Sequence, residues 1–190
     1  MLQHLPPGFG RLLHGIRPNL DELIINDPRL AAAETLIVTS EAFPDGSPMP
    51  FRFTEDGDRV SPPINWSGVP DGTAAILVII EDADSPTPKP LVHAIVIDQR
   101  EGSEGLAEGA ISDPVQTWGR FELGRNSFFR RAYLPPDPPP GHGPHRYAFQ
   151  VFALSDGPEP NTIDGRSAAL DAMIGNVTAK GCLIGTYERA

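Results

Sequence analysis

Three stretches of this chain are apolar almost without a break: Ala74 to Glu81, His93 to Asp98 and Tyr147 to Leu154. They are short, rich in Ile and Val, and bounded by turn residues, so they predict strands buried on both faces. Phe51-Arg52-Phe53-Thr54 alternates with period two and predicts a half-exposed strand. Thr35 to Thr39 and Cys182 to Glu188 predict two more strands, and Pro62 and Pro63 hold Ser61 to Trp66 extended. Turns are expected at Asp56-Gly57-Asp58 and Pro70-Asp71-Gly72. Helical spacing appears late, where Leu170, Met173, Ile174 and Val177 predict a helix over 166–180, capped by Ser167 or Asp164 and stopped by Gly181. The class is mainly β, a single domain with one helix near its C-terminal end.

Residues 1–33 have a different texture. Phe9, Leu12, Leu13 and Ile16 predict a short helix from Phe9 to Arg17, closed by Pro18, and a second runs from Leu20 to Asn26. This helical extension is too small to fold alone. It must dock on the domain spanning 34–190 or on a second copy, so a homodimer is among the expected partners. Between the strands, 99–131 and 132–146 read as long irregular connections, the second stiffened by Pro135 to Pro140.

Composition sharpens this picture. The 22 prolines alternate with dense apolar runs, which favours a β protein with proline-rich connections over disorder. A net charge of −10 repels phosphate backbones and anionic membrane surfaces, so neither nucleic-acid binding nor stable membrane association is expected. Any anionic ligand must then be held by a local arrangement against the overall field. The single cysteine, Cys182, rules out an intramolecular disulfide and reads as a small buried apolar residue. No apolar run approaches the ~20 residues of a membrane span. The first residues lack the pattern of a secretory signal, so the expected location is cytoplasmic.

The candidate chemistry lies at strand ends. Asp82 closes one strand and His93 opens another. His145 precedes a third, and Tyr147, two residues later, projects to the same face. A carboxylate beside an imidazole fixes its tautomer and raises its pKa, making it a better donor. His93 and His145 then read as a two-donor anion clamp, with the Tyr147 hydroxyl as a third donor. Asp82, His93 and His145 are also a two-histidine, one-carboxylate metal set by residue type, but no pair has local ligand spacing, so no metal is assigned. No nucleophile elbow or phosphate loop occurs, so no cofactor and no catalytic residue are assigned. Two readings remain: a binding module, and a hydrolase or transferase using the Asp-His-His pocket, with or without a metal. His142 reads as an exposed loop residue, and Arg146 as either an ion-pair former beneath the site or a ligand contact.

Several spaced motifs occur in order around these residues: Ser61-Pro62-Pro63-x-x-Trp66, Val69-Pro70-x-Gly72-Thr73, Asp82-x-Asp84-x-Pro86 with His93, Gly124-x-Asn126-Ser127-Phe128, Gly141-x-Gly143-Pro144-His145-Arg146-Tyr147 and Gly185-Thr186-Tyr187. Over about 35–189 the chain resembles the phosphatidylethanolamine-binding protein family, in its bacterial Raf-kinase-inhibitor-like branch. The resemblance implies a large antiparallel sheet beside a smaller one, with peripheral helices. It also implies a preformed pocket for a small anion, whether phosphate, acetate or a phosphoryl headgroup, bound by Asp82, His93, His145 and Tyr147. Asp84, Pro86, Pro144 and Arg146 are implied as lining or supporting residues. The kinase-regulatory role of eukaryotic members is not carried over; on the binding-module reading the protein regulates or inhibits a partner protein. The chain departs from the family pattern at Ala83, where a proline is usual, at Leu91-Val92, where an aromatic is common, and at Leu134-Pro135-Pro136-Asp137, where bacterial members carry Gly-Gly-Pro-Cys.

Overall fold

The three apolar runs are indeed strands and lie side by side. The computed structural model describes residues 7–13, 15, 17–99, 102–112, 121–159 and 161–189. In chain order the elements are α1 (Pro7–Leu13), β1 (Glu34–Thr35), β2 (Ile37–Thr39), β3 (Ser47–Pro48), β4 (Ile64–Ser67), β5 (Ala75–Asp82), β6 (Leu91–Asp98), β7 (Gly105–Leu106), β8 (Glu122–Gly124), β9 (His145–Leu154), α2 (Arg166–Met173) and β10 (Val177–Tyr187). The large sheet runs β1-β10-β9-β5-β6-β8, with β3 also on β10. It is antiparallel from β10 to β8, and the two-residue strands β1 and β3 join β10 in parallel. A smaller antiparallel sheet is ordered β2-β4-β7.

Every residue of β5 is buried because the sheet is covered on both faces. Ile76, Val78 and Ile80 meet Phe53, Trp66, Phe149 and Val151 on the side of the small sheet. Leu77 and Ile79 meet Ile24, Leu30, Leu170 and Met173 on the other. Along β10 the burial alternates instead. Its Gly181 is required by close approach: a Cβ there would sit 2.3 Å from the Leu36 carbonyl oxygen.

Local details depart from the sequence reading. The helix expected over 166–180 ends at Met173, because Gly175 takes φ +80° and Val177 already belongs to β10. Its N-cap is Gly165, without a side-chain cap. Gly181 lies inside a strand and stops no helix. Phe51–Phe53 is a 3-10 turn and not a strand, closed by the Thr54 N–H and hydroxyl on the Phe51 carbonyl. The expected helix at Leu20 to Asn26 is two 3-10 turns, Leu20–Glu22 and Ile24–Asn26. Cys182 is partly buried, and burial, with Asp45 and Glu81 nearby, pushes its thiol up to about 12.

The extension docks on its own domain. Ile24 N–H donates to Glu81 at 2.9 Å, Ile25 N–H to Gln150 at 2.8 Å, and Lys180 Nζ to the carbonyls of Ile25 and Leu30. Glu81, fully buried, also accepts from Gln150 and Arg166. Of the apolar face expected on the first helix, Leu12 is exposed, while Ile16 and the Phe9 side chain lie outside the described positions.

Candidate functional site

Sheet register assembles the site. Asp82 is directly opposite Tyr147 across β5 and β9, so the two share a face, and His145, two residues before Tyr147, lies on it as well. His93 reaches that face through an irregularity. Glu81 pairs with Val92 and Ile80 with Ala94, which leaves His93 as the extra residue of a β-bulge. A bulge re-aims a side chain, and here it sets the His93 ring edge-on to Tyr147, with centroids 5.2 Å apart. Asp82, His93, His145 and Tyr147 are all buried.

The carboxylate's imidazole partner is His145, not His93. Asp82 Oδ2 accepts from His145 Nδ1 at 2.7 Å, and Asp82 Oδ1 accepts from the Asp84 N–H at 2.8 Å. His93 instead donates from Nδ1 to the Leu134 carbonyl at 2.6 Å. Burial lowers the His93 pKa from its ordinary value, outweighing the upward pull of Asp82 and the Leu134 carbonyl. The neutral ring with its proton on Nδ1 therefore presents a lone pair at Nε2. Burial, reinforced by Asp82, raises Tyr147 well above its usual value, so its hydroxyl keeps its proton. His93 Nε2 and Tyr147 Oη are both buried without a protein hydrogen-bond partner.

His142, expected on the surface, is completely buried and completes the polar chain. Its Nδ1 lies 2.7 Å from His145 Nε2, and its Nε2 lies 3.0 Å from the Leu13 carbonyl. Gly141 and Gly143, at φ +75° and +91°, fold the loop so that this ring turns inward. The two glycines flanking a histidine were the available sequence signal. Proton positions follow from the ends of this chain. The Leu13 carbonyl only accepts, so His142 Nε2 carries a proton, and the contacts between the rings and between His145 and Asp82 need one proton each. Three protons on two imidazoles and one carboxylate leave the chain of Asp82, His145 and His142 without net charge.

Arg146 is an ion-pair former. Its N–H and Nε donate to Asp84 Oδ2 at 2.9 and 2.7 Å and a terminal nitrogen donates to Oδ1 at 2.8 Å, while Arg17 reaches Oδ1 at 3.3 Å. Burial pushes Asp84 up, but the Arg146 bonds and the two guanidinium charges win and hold it below its ordinary value. Pro86 is half-buried, Pro144 is exposed, and the Pro144 carbonyl accepts from Arg17 at 2.9 Å. Asp137 pairs with Arg189 at 2.8 Å. The Ser85 hydroxyl is engaged by the Asp82 carbonyl and by Thr87 at 2.6 Å.

Among the described residues, no group of three or more His, Cys, Asp and Glu is arranged to hold a metal ion. With both His145 nitrogens engaged, His93 Nε2 is the ring nitrogen of Asp82's neighbourhood left without a protein partner. Two open grooves, of about 550 and 310 Å³, lie along the smaller sheet and touch none of these side chains. Among the described residues no helix is long and apolar enough to cross a membrane.

Comparison with known proteins gives the same answer as this arrangement. A UPF0098 protein of Aquifex aeolicus is 35% identical over 90% of this chain and 99% of its own length. A UPF0098 protein of Mycobacterium tuberculosis is 35% identical over 95% and 84%. A second protein of that organism, named lipoprotein LppC, is 34% identical over 83% and 74%. Among solved structures, E. coli YbcL, described as a member of the mammalian phosphatidylethanolamine-binding protein family, superposes with a TM-score of 0.74 at 26% identity, covering 82% of this chain and 99% of its own. A phosphatidylethanolamine-binding protein homologue of Chlamydia trachomatis gives 0.70 at 30%, covering 83% and 100%. The sequence model of that family matches residues 39–188, a span that holds Asp82, His93, His145 and Tyr147 on their shared sheet face. By sequence and by fold, this chain belongs to the phosphatidylethanolamine-binding protein family.

Proposed function

We propose that the protein binds a small oxyanion, a phosphate or a phosphoryl or carboxyl group, at His93 and Tyr147. The observation that carries this reading is the pair of buried polar atoms without protein partners, His93 Nε2 and Tyr147 Oη. One is a lone pair and the other a donor. A singly protonated phosphate ester offers the matching set, an O–H for Nε2 and an oxygen for the Tyr147 hydroxyl. His145, held between Asp82 and His142, stacks on Tyr147 and fixes the wall beside it. The role is binding, with regulation or inhibition of a partner protein as its use in the cytoplasm. The hydroxyls beside Asp82, Ser85 and Thr87, bond each other, which favours binding over nucleophilic chemistry.

Inorganic phosphate should raise the melting temperature, because a ligand of the native state stabilises it by RT ln(1 + [L]/Kd), about 2.7 kcal/mol at a hundredfold excess over Kd. In Tyr147→Phe the protein should melt at or slightly above the unliganded wild-type temperature, since an unpartnered buried hydroxyl is removed. Its response to phosphate should be lost. An unchanged response in the variant would sink the assignment, and turnover of a phosphate ester would favour the hydrolase reading.

A further inference from the structure

Phe128 and Phe129, side by side in the turn that follows β8, are 58 and 80% exposed. A lone apolar residue on a surface needs no explanation. Two adjacent phenylalanines with Arg125 before them and Arg130 and Arg131 after them are different, because aromatic residues and arginine are the types that interfaces concentrate. The turn is also held firmly. Asn126, buried at its root, accepts at Oδ1 from the Phe128 and Arg130 N–H groups at 2.9 and 3.1 Å and donates from Nδ2 to the Ala132 carbonyl at 3.0 Å. Its own N–H donates to the Arg130 carbonyl, and its carbonyl accepts from the Phe129 N–H. Ser127 donates its N–H to the Val92 carbonyl and accepts the Val92 N–H at its hydroxyl, which fastens the turn to β6. Within this frame Phe129 takes φ +60°, an outlier for a bulky residue, and such strain persists only where the surroundings over-determine it. A turn fixed in advance loses little entropy on docking.

Charge says what this turn fits. The chain carries 25 acidic and 15 basic residues, yet from Arg125 to Arg131 every charge is an arginine. Arg125 is matched by Asp164 at 3.0 Å. Arg131 donates to the carbonyls of Leu123 and Asn161, which do not neutralise it, and Arg130 is exposed. The complement of such a turn is an apolar socket with an acidic rim, and the chain itself has one. The larger groove along the small sheet, about 550 Å³, combines half-buried Ala42 and Pro63 and buried Leu106 with exposed Glu41, Glu104 and Glu108. Arg52 matches Glu108 at 2.9 Å, and Glu41 and Glu104 add acid beyond that pair. Two copies of net charge −10 repel at long range, but that field is screened beyond about 8 Å at physiological salt, so the residues in contact decide.

We propose that the Phe128–Phe129 turn of one copy seats in the groove of Glu41, Glu104 and Glu108 on a second copy of this chain, with Arg130 against the glutamates. One turn and one groove per chain make the contact heterologous. It closes where both contacts form around a symmetry axis and grows into a chain where they do not. None of these residues belongs to the oxyanion site, so the proposal stands or falls apart from that reading.

The test is sedimentation velocity of the full chain over a concentration series at low and at high salt. Wild type should associate as concentration rises, and salt should weaken the association. Phe129→Gly removes the ring and relieves the left-handed strain, so it should melt close to wild type and yet lose the association. Arg130→Glu and Glu104→Arg each set like charges against one another and should weaken it by about tenfold or more. The double variant carrying both reverses the pair and should regain most of the loss. All four changes fall at exposed positions, and far-UV circular dichroism confirms that each variant is folded. A wild-type protein that stays monomeric throughout, association that survives Phe129→Gly, or a double variant no better than its parents would overturn the proposal. Flotation with phosphatidylglycerol vesicles runs beside it: capture of a monomeric protein that Phe129→Gly abolishes would overturn it in favour of a membrane surface.

Discussion

Replacing Asp82 separates a proton-sharing network from an ordinary buried salt bridge. In Asp82→Asn the amide oxygen still accepts from the Asp84 N–H, and the amide nitrogen takes the place of the Oδ2 that now faces His145. An amide donates where the carboxylate accepted, so His145 Nδ1 must become a lone pair. The chain then sheds one proton. His145 donates from Nε2 to His142 Nδ1, His142 still donates to Leu13, and every link survives in neutral form. The loss is the charge assistance of two bonds and one unmatched amide N–H, together about 2 kcal/mol. Asp82→Ala leaves both the Asp84 N–H and a ring nitrogen of His145 without a partner, roughly 1–3 kcal/mol each, or about 4 in all. A chain of this length shifts its Tm by about 2–4 °C per kcal/mol, so alanine should melt about 4–8 °C below asparagine. Differential scanning calorimetry measures the gap, and long-range proton–nitrogen NMR of the imidazoles should find His145 Nδ1 sharing a third proton with Asp82 in the wild type and bare in the asparagine variant. Equal melting losses, or an asparagine variant that keeps the third proton, would refute the network.

Two further outcomes follow from the structure. Gly181→Ala pushes a methyl group to 2.3 Å from the Leu36 carbonyl oxygen in the middle of β10, so it should destabilise by about 1–3 kcal/mol in urea unfolding, although alanine is no worse a strand former than glycine. His93 and Asp84 should each contribute a loss of stability on acidification. His93 resists protonation in the fold, so the unfolded chain binds its proton first and stability drops as pH falls through about 6.5. Asp84 is held below its ordinary value, so its contribution is present above the usual carboxylate range and is lost as pH falls towards its lowered value. Urea midpoints at stepped pH should show both slopes; His93→Gln should flatten the upper one and Asp84→Asn the lower, and slopes that survive these changes would count against the assignments.

Much of this was legible in the residues. The unbroken apolar runs of β5, β6 and β9 place the central strands, and Tyr147 two residues after His145 places both on one face. The bonding inside the site was not legible. Pairing an acid with a histidine needs register, and register shows Asp82 opposite Tyr147, within reach of His145. His93 faces the site only because a bulge adds one residue to β6, and hydrophobic alternation carries no mark of a bulge in a strand buried on both faces. The late helix was read too long for a related reason. Met173, Ile174 and Val177 keep helical spacing, yet tertiary pairing with β9 claims Val177 for β10.

On the oxyanion reading proposed above, the charges around the pocket explain how a protein of net charge −10 accommodates such a ligand. Each acid near the site is matched locally: Asp82 by the proton shared between His142 and His145, Asp84 by Arg146 and Arg17, Asp137 by Arg189. What remains for a ligand is a neutral pair, the Tyr147 hydroxyl and the His93 lone pair. On the reading proposed above, the wall does not attract an anion by net charge; it selects a group that brings its own proton or places one on His93. A phosphomonoester loses its second proton at a pH of about 6, so above that value binding must take up a proton and affinity should weaken by up to tenfold for each pH unit. Selection by proton count suits a site buried away from solvent. There an unmatched charge would cost more than a hydrogen bond returns.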